Sequence, residues 1–306
     1  MVDVDHWLTS NREEVLKVSL ESLGRTDEEL KEYVSILTEW LETQPHLPEK
    51  PSENVIINIV LMNKFSIEKC KQRLDMYYTI RNLLPEIYGK MDSKMTMKIA
   101  DDILFFPLPK RTVEQDRINI VKLKDIETND FDIYTWMGYC YNVLDLRLSE
   151  DICTAEIIVN DLEFFKLSHI TKITPVHIKK IVMILEKVYS NRIKQFHFVN
   201  CPPFAYNILN SVKSLMKPKL AARIFFHEDC SKIGDIIPLE VLPKDYGGSE
   251  LSLYDLNELW KKKLEQYSAR FNNLSKMKTN EILRPSPLVN DEVLGFHGNF
   301  RKLEMD

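Results

Sequence analysis

The sequence predicts an α/β protein in which a helical N-terminal region precedes a mixed, partly parallel β-sheet flanked by helices. Two observations predict this class. Up to about residue 95 the apolar residues recur at helical spacing between proline breaks, and after about residue 100 strand-like and helical stretches alternate. We expect a helical domain over residues 1–95, a sheet domain over residues 96–250, and a C-terminal helix and tail over residues 251–306.

The first clear helix lies in DEELKEYVSILTEWLETQ. Six of its apolar residues recur at the spacing of one helix face: Leu30, Tyr33, Val34, Leu37, Trp40 and Leu41. The three prolines of PHLPEKPSE end this helix. Two more helices are predicted near residues 53–62 and 66–82, and the second of them ends at Pro85.

The sheet is predicted from five short stretches of strand character: DDILFFPLPK, RINIVKL, AEIIVNDLEFF, RIKQFHFVN and ARIFFHE. Helical patterns lie between the later ones: DIYTWMGYCYNVLDLRL, TPVHIKKIVMILEKVY and FAYNILNSVKSLMK. Strands that alternate with helices indicate a partly parallel sheet covered by helices. One more helix, LYDLNELWKKKLEQYSARFNNL, begins the C-terminal region.

Composition narrows the function classes. The chain has 306 residues, 44% of them hydrophobic and 28% charged, with a net charge of −5, so we expect no nucleic-acid partner. The five cysteines are scattered without a CxxC pair, which indicates reduced thiols. The N-terminal stretch lacks a signal-peptide core, and no apolar run approaches the roughly 18 residues of a membrane helix. We therefore expect a cytoplasmic protein.

Motifs that support catalysis are missing. The sequence contains no GxGxxG, GxxxxGK[ST], GxSxG or HExxH, and its eight glycines leave little material for a phosphate-binding loop. The seven histidines show no metal-ligand spacing. We expect neither a catalytic residue, nor a metal site, nor a cofactor.

Two pairs of basic residues stand out. Arg192 and Lys194 are two residues apart at the start of a predicted strand, so both side chains point to one face. Lys219 and Arg223 are four residues apart, a spacing that stacks them on one face of a helix. The pairs are interpreted either as solvated surface cations or as a site for a phosphate group, and spacing alone leaves both interpretations open.

The central segment is also rich in aromatic residues, from Trp136 to Phe226. Plain core packing would use these residue types, and so would a cavity for an apolar ligand. Composition does not separate the two interpretations.

An ordered series of motifs carries a family resemblance. The segment IIVNDLEFFKLSHITKITPVHIKKIVMILEKVYSNRIKQFHFVNCPPFAYNIL, followed by IPLEVLPKDYGGS, resembles the CRAL-TRIO lipid-transfer family, including its insect α-tocopherol-transfer-like and retinaldehyde-binding-like members. The likeness extends over residues 30–306. It implies a helical N-terminal domain against a mixed sheet, a lipid pocket on that sheet, and a gate helix near residues 200–223. In LPKDYGG, we expect Tyr246 to pack on the domain and Gly247 and Gly248 to permit positive φ.

The resemblance also implies site residues. Matched to the family, the phosphoinositide-binding positions are Arg192, Lys194, Lys219 and Arg223. The implied ligand-binding positions are Trp136, Tyr139, Ile158, Phe165, Ile181, Leu185, Tyr189, Ile193 and Phe196, with Phe204, Leu209 and Leu215 on the gate. Phe164 stands where the family often has glycine, and we expect its ring to narrow or reshape the pocket.

The function implied is that of a non-enzymatic carrier. It would bind a small hydrophobic ligand, such as a tocopherol, retinoid, carotenoid or terpenoid, and transfer it at phosphoinositide-containing membranes through transient peripheral contact. An alternative is a regulatory protein that binds a phosphatidylinositol-type lipid and presents it to a partner. An enzyme of unrecognised type acting on a hydrophobic substrate is a third possibility.

Overall fold

The N-terminal part of the chain is helical, as the spacing of its apolar residues predicts. The structure, a computed structural model, describes residues 3–4, 6–153, 155–189, 192–214 and 218–288. Within these ranges the helices that precede the sheet are α1 (Arg12–Leu23), α2 (Asp27–Glu42), α3 (Glu53–Met62), α4 (Ile67–Leu83), α5 (Pro85–Tyr88) and α6 (Ser93–Asp102). The described part of the chain contains no bilayer-spanning helix.

Helix α2 shows how the sequence specifies these elements. A capping box starts it: the Thr26 hydroxyl accepts from the Glu29 amide at 3.2 Å, and the Glu29 carboxylate accepts from the Thr26 amide at 2.9 Å. Leu30, Leu37 and Leu41 are buried in the main core, so the stripe predicted from the sequence is the face that packs inward.

The five predicted strands form one mixed sheet. They are β1 (Ile103–Pro107), β2 (Arg117–Leu123), β3 (Ala155–Asp161), β4 (Arg192–Val199) and β5 (Ile224–Phe226), and they lie side by side in chain order. β1 runs antiparallel to β2, whereas β2 to β5 pair in parallel. The fold class predicted from the sequence is therefore confirmed.

The parallel strands are joined by helices that cover one face of the sheet. The connections contain α7 (Ile133–Glu150), α8 (Leu167–Ile170), α9 (Pro175–Ile184), α10 (Pro203–Ser214) and α11 (Pro218–Ala221), and a π-helical turn, Leu185–Tyr189, follows α9. Crossover connections between parallel strands are almost always right-handed. When successive strands are added to the sheet on the same side, as here, the connecting helices therefore lie on the same face of the sheet. Helices α12 (Leu253–Gln266) and α13 (Ser268–Leu274) follow the sheet domain.

A buried ion network fastens the end of α7 to the sheet. The Asp151 carboxylate lies 2.5 Å from Arg111, 2.7 Å from Arg117 and 3.3 Å from Arg147, and Arg147 also lies 2.9 Å from Glu156. Burial alone would raise the pKa of Asp151, but the three guanidinium groups outweigh it and hold that pKa well below its usual value. The carboxylate is thus charged and paired.

The LPKDYGG stretch closes the sheet domain, and its two glycines are needed for different reasons. Gly247 has φ 78°, the left-handed conformation that the sequence predicts. Gly248 does not have a positive φ. It is needed because a Cβ atom there would collide with the Leu242 carbonyl oxygen. Tyr246 is buried, and its hydroxyl donates to Asp161 at 3.0 Å, which ties the turn to the end of β3.

Candidate functional site

An apolar cavity of about 140 Å³ lies between the sheet and the crossover helices. From the sheet and its strand ends it is lined by Ile103, Val121, Leu123, Asn160, Asp161, Leu162 and Phe198. From the surrounding helices and loops it is lined by Trp136, Phe165, Ile170, Ile173, Ile178, Ile208 and Leu209. Val121, Asn160 and Phe198 are register partners on β2, β3 and β4, so they form one layer of the cavity floor.

Helix α10 covers this cavity through a small apolar cluster that is distinct from the main core. The buried members of the cluster are Leu162, Cys201 and Ala205. Six partly buried side chains pack against them: Phe165, Ile170, Phe198, Phe204, Leu209 and Phe226. Moving α10 would therefore disrupt this cluster and leave the main core in place.

The same helix separates the cavity from an open cleft. Ile208 and Leu209 line the cavity, whereas Tyr206 and Asn207 line a cleft of about 1180 Å³. Asp161 contributes to the lining of both. An outward movement of α10 would join the cavity to the cleft.

Asp161 is the polar junction at this edge of the sheet. Its carboxylate accepts from the Glu163 amide at 3.0 Å, from Asn200 at 2.8 Å and from Tyr246 at 3.0 Å, and it lies 2.7 Å from the Lys122 ammonium. Sequence reasoning missed this group. A signal was available, because Asp161 ends one parallel strand and Asn200 follows the next, where ligand crevices of such sheets lie.

Several predicted ligand-binding residues share the cavity face. Trp136, Phe165 and Leu209 line the cavity itself. Ile158 and Phe196 are register partners one layer further along the same face of the sheet, and the Phe196 ring stacks on Phe198 with centroids 5.9 Å apart. Phe204 belongs to the cluster that holds α10.

The remaining predicted ligand-binding residues lie elsewhere. Tyr139 and Tyr189 are fully buried in the main core, and Ile181 and Leu185 pack against that core. Ile193 lines a different cavity, described below. Leu215 lies outside the described residues. A ligand role for these positions stays a prediction.

The ring of Phe164 does not narrow the cavity. Phe165 lines it, whereas the Phe164 ring lies beneath the Lys122 ammonium, with the nitrogen 5.4 Å from the ring centroid. The expectation of a narrowed pocket at Phe164 is therefore wrong, because consecutive residues of this segment point in different directions.

A second cavity, of about 280 Å³, brings together three of the four predicted phosphoinositide-binding residues. Arg192, Lys194 and Arg223 all line it. Lys219 is exposed on α11 and is not among the lining residues. The structure therefore groups two basic residues of β4 with the residue that precedes β5. We refer to this site as the basic cavity.

The basic cavity also contains acidic groups. Glu114 and Asp116 line it, and the Asp116 carboxylate lies 2.5 Å from the Lys194 ammonium. Arg223 donates to the Ile193 carbonyl oxygen at 2.5 Å. Two of the three cations are thus engaged within the protein, and an incoming phosphate would compete with Asp116 for Lys194.

Comparison with known proteins identifies the domain. Residues 103–248 match the family model described as the CRAL/TRIO domain, and residues 26–97 match the one described as the Pinta-like UBA domain. The crystal structure of Sfh5 aligns over 70% of this chain and 81% of that one, with 16% identity and a TM-score of 0.39.

Curated relatives agree with the family model. The alpha-tocopherol transfer protein-like proteins of Homo sapiens and Mus musculus are 23% identical over 208 residues, which is 67% of this chain and 61% of theirs. Clavesin-1 of Rattus norvegicus is 30% identical over 101 residues, 33% of this chain and 28% of that protein. The chain thus spans less than two thirds of the length of the relatives it matches. Residues 103–248 of this chain are therefore assigned to the CRAL/TRIO domain family.

Proposed function

We propose that this protein is a non-enzymatic carrier that binds a small hydrophobic molecule beneath α10 and transfers it at membranes containing phosphoinositides. The observation that carries the proposal is the apolar cavity between the sheet and a helix held by its own small cluster. The matches to alpha-tocopherol transfer protein-like relatives support it.

The size of the cavity indicates how loading would occur. Sites for drug-sized ligands usually have volumes of about 300–1,000 Å³, and this cavity has about 140 Å³. A lipid would therefore need α10 to move outward, which also exposes the apolar side chains of the cluster. Burying a long apolar chain contributes about 0.8 kcal/mol per methylene, so about ten methylenes would support roughly micromolar binding.

The basic cavity would act at the membrane. Arg192 and Lys194 on β4 and Arg223 before β5 can meet the phosphates of an anionic headgroup, each contributing about 1 kcal/mol near a charged surface. Lys219, exposed on α11, would add to this attraction. Contact between a lipid headgroup and the basic cavity would then favour the outward position of α10.

The test is transfer of an extracted lipid between vesicles. Organic extraction of the purified protein should yield a bound lipid, and labelled lipid should move faster to acceptor vesicles that contain phosphatidylinositol bisphosphate. The variant Arg192→Gln with Lys219→Gln should lose this acceleration and keep its bound lipid. Both side chains are exposed, and the substitutions preserve the Lys194–Asp116 ion pair.

A matched control is Lys262→Gln with Lys278→Gln, which removes two exposed charges outside the basic cavity. It should transfer like the unmodified protein. Failure to bind any lipid would contradict the proposal. Stable lipid binding without vesicle-to-vesicle transfer would favour the alternative of a lipid-sensing regulator.

A further inference from the structure

Two hydrogen-bond donors at the apolar cavity have no acceptor among the residues that the structure describes. Trp136 and Asn160 both line the cavity, and in the described part of the chain the Trp136 Nε1 and Asn160 Nδ2 atoms are buried without a hydrogen-bond partner. Most buried polar groups in proteins are paired, so two unpaired N–H groups at one small cavity need an explanation. A ligand that brings the missing acceptor would supply one.

The two donors come from two different elements that line the cavity. Asn160 stands on β3 in the cavity floor, between its register partners Val121 and Phe198. Trp136 stands on α7, and its ring packs against Phe131 with centroids 5.8 Å apart. The donors are therefore surrounded by apolar groups, where an unmade hydrogen bond is costly because water does not replace it.

Asp161, the third polar residue that lines the cavity, is not available to accept a hydrogen bond from a ligand. The Asp161 carboxylate already takes contacts from Lys122, Asn200, Tyr246 and the Glu163 amide. An indole N–H can only donate, and the orphaned atom of Asn160 is also a donor. The unpaired groups at this cavity, Trp136 Nε1 and Asn160 Nδ2, are therefore both donors, and they match a ligand that supplies a hydrogen-bond acceptor.

We infer that the ligand of this cavity is an apolar molecule that carries a carbonyl oxygen, held by Trp136 Nε1 and Asn160 Nδ2. The inference rests on the proposed function, because it requires that α10 admits a ligand to the cavity. A carbonyl oxygen offers two lone pairs and has no hydrogen to place against these donors. A hydrocarbon of the same shape leaves both donors unpaired and binds more weakly.

The experiment compares a long-chain methyl ketone with the alkane of equal chain length. Each competes for the delipidated full-length protein, read by native mass spectrometry, with the unmodified chain, Asn160→Leu and Trp136→Phe. The ratio of ketone to alkane affinity should fall about tenfold in each variant, the size expected for losing one buried hydrogen bond. Comparing ratios cancels the different solubilities of the two probes.

A vibrational measurement separates a direct contact from a structural role. The carbonyl stretch of a carbon-13-labelled ketone should move to lower frequency when bound to the unmodified protein, and each variant should reverse part of that shift. Leu209→Met alters the cavity lining without removing a donor, so it should change both affinities together and leave the stretch unaltered.

The outcomes are distinguishable. If both probes bind and the variants keep the unmodified affinity ratio and carbonyl frequency, the assignment of Trp136 and Asn160 is overturned while the carrier function stands. If neither probe binds the unmodified protein, the proposed function fails, and the inference fails with it.

Discussion

Replacing Asp116 by asparagine tests the electrostatics of the basic cavity. Arg192, Lys194 and Arg223 bring three positive charges to this cavity, and Glu114 and Asp116 bring two negative ones, so its net charge is +1. The substitution raises that charge to +2 and frees Lys194 from its partner. We expect tighter binding to vesicles that contain phosphatidylinositol bisphosphate.

The structure sets the size of the effect. The Asp116 carboxylate lies 2.5 Å from the Lys194 ammonium, and the side chains are 6% and 47% exposed, respectively. Because the Lys194 side chain is half-exposed and screened by solvent, this ion pair contributes at most about 1 kcal/mol. One added unit of charge near an anionic surface is worth a similar amount, so we expect about fivefold tighter binding, and less at high salt.

The assay is vesicle cosedimentation at two salt concentrations. The control is Glu265→Gln, which changes the net charge of −5 equally but lies exposed on α12, outside the basic cavity. Binding of Asp116→Asn no tighter than that of the unmodified protein, or an equal gain in the control, would refute the reasoning.

Three further predictions concern stability. Asp151→Asn should lower the free energy of unfolding by about 3–5 kcal/mol in urea, because three buried arginines lose their counter-charge. Its pKa is lowered in the folded state, so the stabilisation is complete above about pH 4 and lost as the pH falls; an unchanged acid transition in the variant would contradict this. Gly248→Ala should cost about 1–3 kcal/mol, since its Cβ meets the Leu242 carbonyl oxygen, and an unaltered melting temperature would be the contrary result. Burial and the neighbouring His227 lower the pKa of His197 to about 4, so folded stability should decline as the pH falls from about 6.5; His197→Gln should flatten that decline in urea titrations, and an equally steep decline would argue against it.

Many helices and strands of this protein can be predicted from short stretches of its sequence. The apolar stripe that contains Leu30, Leu37 and Leu41 repeats within a single helix. Each strand can be predicted from a few residues, because they alternate in polarity or are β-branched. The glycine pair after Tyr246 is likewise a short pattern in the sequence. Such signals survive in the sequence because helix and strand periods involve neighbouring residues only.

The candidate functional site could be predicted from the sequence only in part. The spacing of Arg192 and Lys194 predicts that they share a face, and the resemblance grouped them with Arg223. Asp116, however, is 78 residues from the Lys194 that it neutralises. Asp161 and Tyr246 are separated by 85 residues and meet only because β3 and the closing turn lie together. No local period carries information about such partners.

The sequence by itself therefore determined the five strands and most of the longer helices, the family of the central domain and the kinds of side chain available to it. The tertiary structure decided which of those side chains meet: Trp136 with Asn160 at one cavity, Asp116 with Lys194 at another, and Tyr139 and Tyr189 in the solid core. The physical reason is that side-chain neighbours across a sheet depend on strand register and on how crossover helices pack, and both are set by the whole chain.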